Sequence, residues 1–466
     1  MKYAFKRRLY EALPPFLRAP TRWLPFDWLA GASYRAVLSR GRSLDRALRE
    51  EVVSCQDGRL ENVLTYVSEQ VPAYRNLKTL VGHLAPREAL KAFPLLDKEA
   101  LQTHMQNYLP RDFDRIPHYE CTTGGTSGNQ LRLHLDNDSQ AVEMGFMHRQ
   151  WARVGYTPRS RKATFRGVEF RDLPDRVYWQ ENPIYNEMQF SPYHMNEQTL
   201  GSYLNKMSEY RPQFLHGYPS AISLLADYIL RHEVDWKALN IKAALLGSEA
   251  VTSEQRAMIE KAFHTRVFSW YGHSERVILA GECEYTTDYH TFPDYGYLEI
   301  LKENGEPAEE GEMGEIVGTG FLNRSLPLIR YRTGDMARRL RSECKCGRWF
   351  DRFTDVEGRW KQEYVIGKNG SRMSMAALNI HGAALDRVVR YQYFQNRPGV
   401  MELRVMVVPG FGESDVVAIS TAFADKMGDE LMVEVKVVED IPLTGRGKLR
   451  RLVQETPAGS RETTGR

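Results

Sequence analysis

IKAALLGSEA (241–250), VTSEQRAMIEKAF (251–263) and TRVFSWYGHSER (265–276) decide the fold of this chain. The first is an apolar run closed by small residues, which reads as a buried strand and a turn. The second has the length and spacing of a helix. The third is a strand running into a polar loop. Immediately upstream, RPQFLHGYPSAISLLADYIL (211–230) repeats the pattern, with a strand, a turn at Gly217–Pro219 and a helix. Strand and helix alternating in this way predict an α/β fold with largely parallel strands.

Outward from this region the pattern changes. GYLEILKENGEPAEEGEMGEIVGTGF (296–321) alternates as β-structure and is broken by Asn-Gly and Glu-Glu-Gly turns, so antiparallel hairpins are expected. Beyond residue 360 the strands VMELRVMVVPG and LMVEVKVVEDIP flank the amphipathic helix SDVVAISTAFADKMGDE, a short α+β unit. The predicted organisation is a basic, aromatic segment at 1–45, a large domain at 46–360 with mixed and parallel sheets and a hairpin-rich subdomain, a small mobile α+β domain at 361–455, and a polar, disordered tail at 456–466. Toward the N-terminus, Leu44, Ala47, Leu48, Val52, Leu60, Leu64 and Val67 have helical spacing, and Asp97 is placed to cap a helix starting at Lys98.

With 466 residues the chain is long enough for a large domain plus a smaller one. Hydrophobic residues at 42% and charged residues at 26% describe a soluble globular protein. A net charge of +3 excludes a molecule built to coat nucleic acid. No apolar run reaches the roughly 20 residues of a membrane span, and no signal-peptide core follows the basic start, so a cytoplasmic location is expected. The first fifty residues hold eleven Lys/Arg against four Asp/Glu, with Trp23, Leu24, Phe26 and Trp28 close together. Such a segment either touches an anionic membrane peripherally or packs its aromatics onto the main domain. Five cysteines do not make a disulfide scaffold, and Cys55 and Cys121 read as packing residues.

Four motifs carry chemistry. In CTTGGTSGNQLRLH (121–134), glycines let backbone amides approach phosphate oxygens and hydroxyls add donors. The Gly-Lys-Ser/Thr ending of a Walker loop is absent. In RYRTGDMA (330–337), an aspartate behind a Thr-Gly turn suits both hydroxyls of a ribose. In WYGHSERV (270–277), Glu275 follows a strand where a carboxylate can bind Mg²⁺ beside substrate phosphates. In PLTGRGKLRR (442–451), Lys448 sits on a terminal segment that can move, and its ammonium can offset charge on a carboxylate–phosphate pair. Each of these, taken alone, also fits a structural role.

Their order and spacing resemble the superfamily of acyl-CoA synthetases, peptide-synthetase adenylation domains and luciferases. The nearest resemblance is to its phenylacetate–CoA ligase and capsular-polysaccharide-biosynthesis branch, over roughly residues 45–455. Thr-Gly-Gly-Thr-Ser-Gly (123–128), LLGSEA (245–250), YGHSE (271–275), YRTGD (331–335), EGR (357–359) and TGRGKLRR (444–451) follow in the family's order. The resemblance implies ATP and Mg²⁺ as cofactors, a small carboxylic acid as substrate and a thiol, commonly coenzyme A, or an amine as acyl acceptor. It implies that Thr123, Gly125, Thr126, Ser127 and Gly128 hold the phosphates, with Thr126 counted as catalytic. It places Gly247, Ser248, Glu249, Tyr271, Gly272 and His273 around adenine, Glu275 on Mg²⁺, Asp335 and Arg359 on the ribose, Lys361 at the hinge, and Lys448 between carboxylate and α-phosphate. Gly124 departs from the usual serine, and Asn129-Gln130 leave the loop without a lysine, though Arg132 stands nearby. The activity implied is conversion of an acid to acyl-AMP. A second reading is a catalytically weak relative acting as a binding component of polysaccharide assembly. A kinase-like enzyme is disfavoured, because no kinase catalytic loop is present.

Cys283, His290, Cys344 and Cys346 have the ligand types of a structural zinc site, and Cys-Lys-Cys-Gly-Arg resembles an element of phenylacetate–CoA-ligase-like relatives. The alternative is three unrelated thiols. Tyr185, Phe190, Tyr193 and Tyr218 are candidates for an acyl pocket or for core.

Overall fold

A computed structural model of the chain describes residues 9–10, 12–122, 131–167, 177–234, 240–357, 364–375, 377–378, 380, 383–441 and 452–455. A hairpin of His118–Thr122 (β1) and Arg132–Asp136 (β2) stands apart from the main sheet. That sheet contains Lys162–Phe165 (β3), Trp179–Asn182 (β4), Glu187–Phe190 (β5), Phe214–Gly217 (β6), Ala243–Leu246 (β7) and Arg266–Gly272 (β8). It continues with Leu279–Gly281 (β9), Tyr289–Thr291 (β10), Gly296–Leu301 (β11), Met313–Gly320 (β12), Tyr331–Leu340 (β13) and Arg352–Glu357 (β14). The order across it is β11-β12-β13-β14-β10-β9-β8-β7-β6-β3-β5-β4.

The sheet has two halves of different physical character. β5, β3, β6, β7 and β8 run parallel. β3, β6 and β7 are buried throughout, as expected of parallel strands covered on both faces. The helices Pro219–Arg231 and Ser253–Phe263 make the crossovers between β6, β7 and β8. The first buries Ile222, Leu225, Ala226 and Ile229, so Leu225→Ala should cost about 2–5 kcal/mol. The second starts at a capping box, where Gln255 N–H donates to Thr252 Oγ1 and Thr252 N–H donates to Gln255 Oε1, each at 3.2 Å. β9 to β14 pair antiparallel, in line with the hairpin pattern read from 296–321.

β8 joins the two halves. Ser269 lies opposite Leu246 of parallel β7, while Trp270, Tyr271 and Gly272 pair with Gly281, Ala280 and Leu279 of antiparallel β9.

Near the N-terminus, the helices Phe26–Leu44 and Arg49–Gln70 are separate. Leu48 is exposed between them, its N–H held by Glu51 Oε2 at 2.8 Å, so the helical spacing of Leu44 to Val52 does not continue through this corner. Phe26, Tyr34 and Val37 are buried against the helix Ser139–Ala152, and the Tyr34 hydroxyl meets His148 Nδ1 at 2.8 Å. Trp23 and Trp28 stay 82% and 55% exposed. Asp97 caps its helix, accepting from Ala100 N–H at 2.7 Å.

The C-terminal part has a two-stranded ribbon, Tyr364–Ile366 (β15) and Arg372–Ser374 (β16). It also has a four-stranded sheet of Val388–Arg397 (β17), Val400–Val407 (β18), Met432–Val437 (β19) and Leu452–Gln454 (β20), ordered β19-β18-β17-β20. The helix Glu413–Met427 connects β18 to parallel β19. Met373, Met375 and Leu378 share one apolar core with Tyr193 and Ile222 of the large sheet's helical layer.

Candidate active site at the carboxyl edge of the parallel strands

In open α/β sheets, ligands sit outside the carboxyl ends of the strands, where the topology switches. Here those ends carry Arg166 after β3, Tyr218 after β6, Gly247–Glu249 after β7 and His273–Glu275 after β8.

The turn after β7 is shaped by its residue types. A Cβ on Gly247 would lie 2.2 Å from the indole of Trp270, so only glycine lets this backbone lie flat against the ring. Ser248 follows in the left-handed region at φ 68°, and its hydroxyl accepts from Arg166 Nη2 at 2.6 Å. Glu249 faces the neighbouring helix. Its Oε2 and Oε1 accept from the N–H and hydroxyl of Ser220, both at 3.1 Å, as anions do at helix N-termini. Burial pushes its carboxyl upward, opposed by hydrogen bonds from Ser374 and Ser220.

The other wall comes from β13. Gly334 takes φ 74° and donates its N–H to Glu315 Oε1 at 3.0 Å. Asp335 N–H is held by Thr333 Oγ1 at 3.2 Å, and the pairing of β13 with both neighbours is irregular here. Such bulges re-aim side chains at functional edges. The Tyr271 hydroxyl donates to Asp335 Oδ2 at 2.9 Å, and the Tyr331 hydroxyl donates to Glu275 Oε1 at 3.0 Å. Two strand-end motifs about 60 residues apart are thereby cross-linked. Burial and the neighbouring Asp335 hold the Tyr271 phenol well above its ordinary value, so it stays a donor.

The hairpin β1–β2 brings the stems of the glycine-rich loop to this edge. Burial pushes the Cys121 thiol up to about 11, and the charges of Arg276 and Glu275 act on it as well. Thr122 Oγ1 and Trp270 Nε1 are buried with no hydrogen-bond partner among the described residues. These orphaned groups, the flat backbone at Gly247 and the acidic pair Asp335 and Glu275 fit a nucleotide. Glu275, a mostly buried carboxylate, fits the one- or two-carboxylate shell of Mg²⁺.

Thr123, Gly125, Thr126, Ser127, Gly128, Arg359, Lys361 and Lys448 lie outside the described residues, as does the tail 456–466. Gly247, Ser248, Glu249, Tyr271, Gly272, His273, Glu275 and Asp335 are brought to one edge. Arg132, just after the glycine-rich loop, pairs with Asp386 of the C-terminal part at 2.6 Å and with Glu120 of β1 at 3.8 Å. Phe190 is fully buried and stacks on Phe165 with ring centroids 4.8 Å apart, so it is core, while Tyr185 is half-buried and packs on Phe26. The Tyr193 hydroxyl reaches Ala377 O at 3.0 Å, and the Tyr218 hydroxyl accepts from Gly167 N–H at 3.4 Å. Arg166 escapes the motif reading; its only signal is its place directly after a short buried strand.

Phenylacetate-coenzyme A ligase of Thermus thermophilus is 26% identical over 460 residues, covering 88% of this chain and 98% of the relative. The CapK C-terminal domain family matches residues 365–455. Protein CapK of Staphylococcus aureus is 23% identical over 300 residues, 62% of this chain and 64% of that protein. Over most of its length the chain is thus similar to adenylate-forming acid–CoA ligases, and its C-terminal part to CapK. The superfamily fold is also seen in the crystal structure of 2-hydroxyisobutyryl-CoA ligase in complex with 2-HIB-AMP and CoA in the thioesterification state. That structure has a TM-score of 0.56 at 18% identity and covers 88% of this chain and 91% of its own. That match, over 88% of this chain, takes in both the large sheet and part of the C-terminal unit.

Proposed function

We propose that this chain activates a small carboxylic acid with ATP, forming acyl-AMP, and then passes the acyl group to a thiol such as that of coenzyme A or to another acceptor. The convergence of Tyr271 with Asp335 and of Tyr331 with Glu275 at one strand edge carries this reading. In the reaction, an oxygen of the acid's carboxylate bonds to the α-phosphorus while the bond to pyrophosphate breaks. The protein's task is alignment and charge neutralisation. Asp335 and Arg359 would hold the ribose. The turn Gly247–Glu249 and Tyr271–His273 would line adenine. Thr123, Gly125, Thr126, Ser127 and Gly128 would donate to the phosphates. Mg²⁺, when bound at Glu275, supplies charge to offset the leaving pyrophosphate. Lys448 would offset charge between attacking carboxylate and α-phosphate, and Lys361 would serve as hinge for the transfer step. The name of the phenylacetate-coenzyme A ligase relative supports an acid–thiol ligase, and the similarity to CapK is in keeping with a part in surface-polysaccharide biosynthesis.

Pyrophosphate exchange into ATP, measured across a panel of aromatic, hydroxy and short aliphatic acids, tests the reading. Acid-dependent exchange is expected. ATP binding without exchange for any acid would favour the second reading, a binding component of polysaccharide assembly.

The N-terminal surface supports peripheral membrane contact by a cytoplasmic protein. Trp23, Trp28, Leu17 and Leu24 are exposed in a segment of strong positive charge. Among the described residues no helix is long and apolar enough to cross a membrane.

A further inference from the structure

We propose that Cys283, His290, Cys344 and Cys346 bind one structural zinc ion that fastens the loop after β9 to the loop between β13 and β14. Their ligand atoms all lie within 4.8 Å of one another. With Zn–S near 2.3 Å and Zn–N near 2.0–2.1 Å, a tetrahedron has S–S edges of about 3.8 Å and S–N edges of about 3.6 Å. Cys283 Sγ and Cys344 Sγ are 3.7 Å apart, and Cys346 Sγ and His290 Nε2 are 3.4 Å apart. The first separation is far too long for a disulfide, whose S–S bond is about 2.05 Å.

The surroundings match a metal shell. His290 Nδ1 is 3.1 Å from the Asp288 carbonyl, which can only accept, so Nδ1 carries the proton and the Nε2 lone pair faces the cysteines. The N–H groups of Tyr285 and Thr286 each donate to Cys283 Sγ at 3.4 Å, the pattern that stabilises a thiolate. Cys283 and His290 are fully buried. Four protein ligands leave no open position, which marks the site as structural rather than catalytic.

The site ties together elements that pairing alone leaves at loop ends. His290 belongs to β10, which pairs with both β9 and β14. β9 pairs with the end of β8 that carries Tyr271, and β13 carries Asp335. Metal here therefore sets the relation between the two strands whose side chains meet in the nucleotide cleft.

The full chain, purified without chelator and analysed by mass spectrometry for metals, is expected to hold about one zinc per chain. The chain stripped of metal under reducing conditions and given Co²⁺ should show intense visible bands of a tetrahedral thiolate site. Cys344→Ser with Cys346→Ser should reduce bound zinc to under about a tenth of wild type, while Cys55→Ser should leave it unchanged. Zinc under about a tenth per chain, both as purified and after anaerobic addition of Zn²⁺, overturns the proposal. So does a Co²⁺ spectrum without tetrahedral bands in the wild-type chain, a readout that does not depend on how the variants fold.

Discussion

The Tyr331 hydroxyl donates to Oε1 of Glu275 across 3.0 Å, and both groups are buried. The first begins β13 and the second lies just past β8, so the bond orients a carboxylate from the parallel half with a phenol from the antiparallel half. Tyr331→Phe keeps the ring and removes the donor. The KM for Mg-ATP in pyrophosphate exchange should rise on the order of tenfold, the ~1.5 kcal/mol of a hydrogen bond to a charged group, with little change in melting temperature. An unchanged KM would remove Glu275 from the proposed metal and phosphate region.

Gly247 is held against Trp270 with no room for a side chain. Gly247→Ala should cost about 1–3 kcal/mol by overpacking and weaken ATP binding, as seen by calorimetry. Pairing it with Trp270→Leu should restore part of the lost stability. Failure of that rescue would show that the strain lies in the backbone and not against the indole.

Lys448→Ala should leave ATP binding largely intact and slow adenylation by a factor on the order of 10² or more, comparable to losing an oxyanion donor. Single-turnover formation of acyl-AMP measures this directly. Exchange at the wild-type rate would refute the role given to this lysine.

Acid should destabilise the fold through two buried histidines. Burial pushes His148 down to about 3 and His216 well below its ordinary value. Both stay neutral in the folded chain while the unfolded chain takes up protons below about pH 6.5. The unfolded state binds more protons in that window, so stability is fully present above pH 6.5 and falls as pH drops toward 3, by at most about 1.4 kcal/mol per pH unit for each histidine. Melting temperatures from pH 8 to 4 should fall less steeply in His148→Gln. Identical slopes would argue that other groups dominate.

Trp23→Ser with Trp28→Ser should abolish most co-sedimentation of the full chain with vesicles rich in anionic lipid, while leaving pyrophosphate exchange unchanged. Wild-type protein that ignores such vesicles at low salt would end the membrane reading.

Local sequence was enough where one short stretch contains both its pattern and its reason. The apolar runs of β6 and β7, the capping box at Thr252 and Gln255 and the Asp97 cap depend on neighbours within a few positions, so periodicity and residue type reveal them. The helical spacing through Leu48 misled because chain direction turns there, and a turn is set by what the two flanking helices pack against. Arg166 carried no motif, since its partner Ser248 is 82 residues away.

By itself the sequence determined the order of elements, the class of sheet and the residue types offered to a nucleotide. Tertiary structure alone decided which of them meet: Tyr271 with Asp335, Arg132 with Asp386, and one histidine with three cysteines. Strand-end side chains become neighbours only when long-range pairing fixes which strands adjoin, and that pairing is driven by burial of whole helix and sheet faces rather than by the few polar groups at their edge.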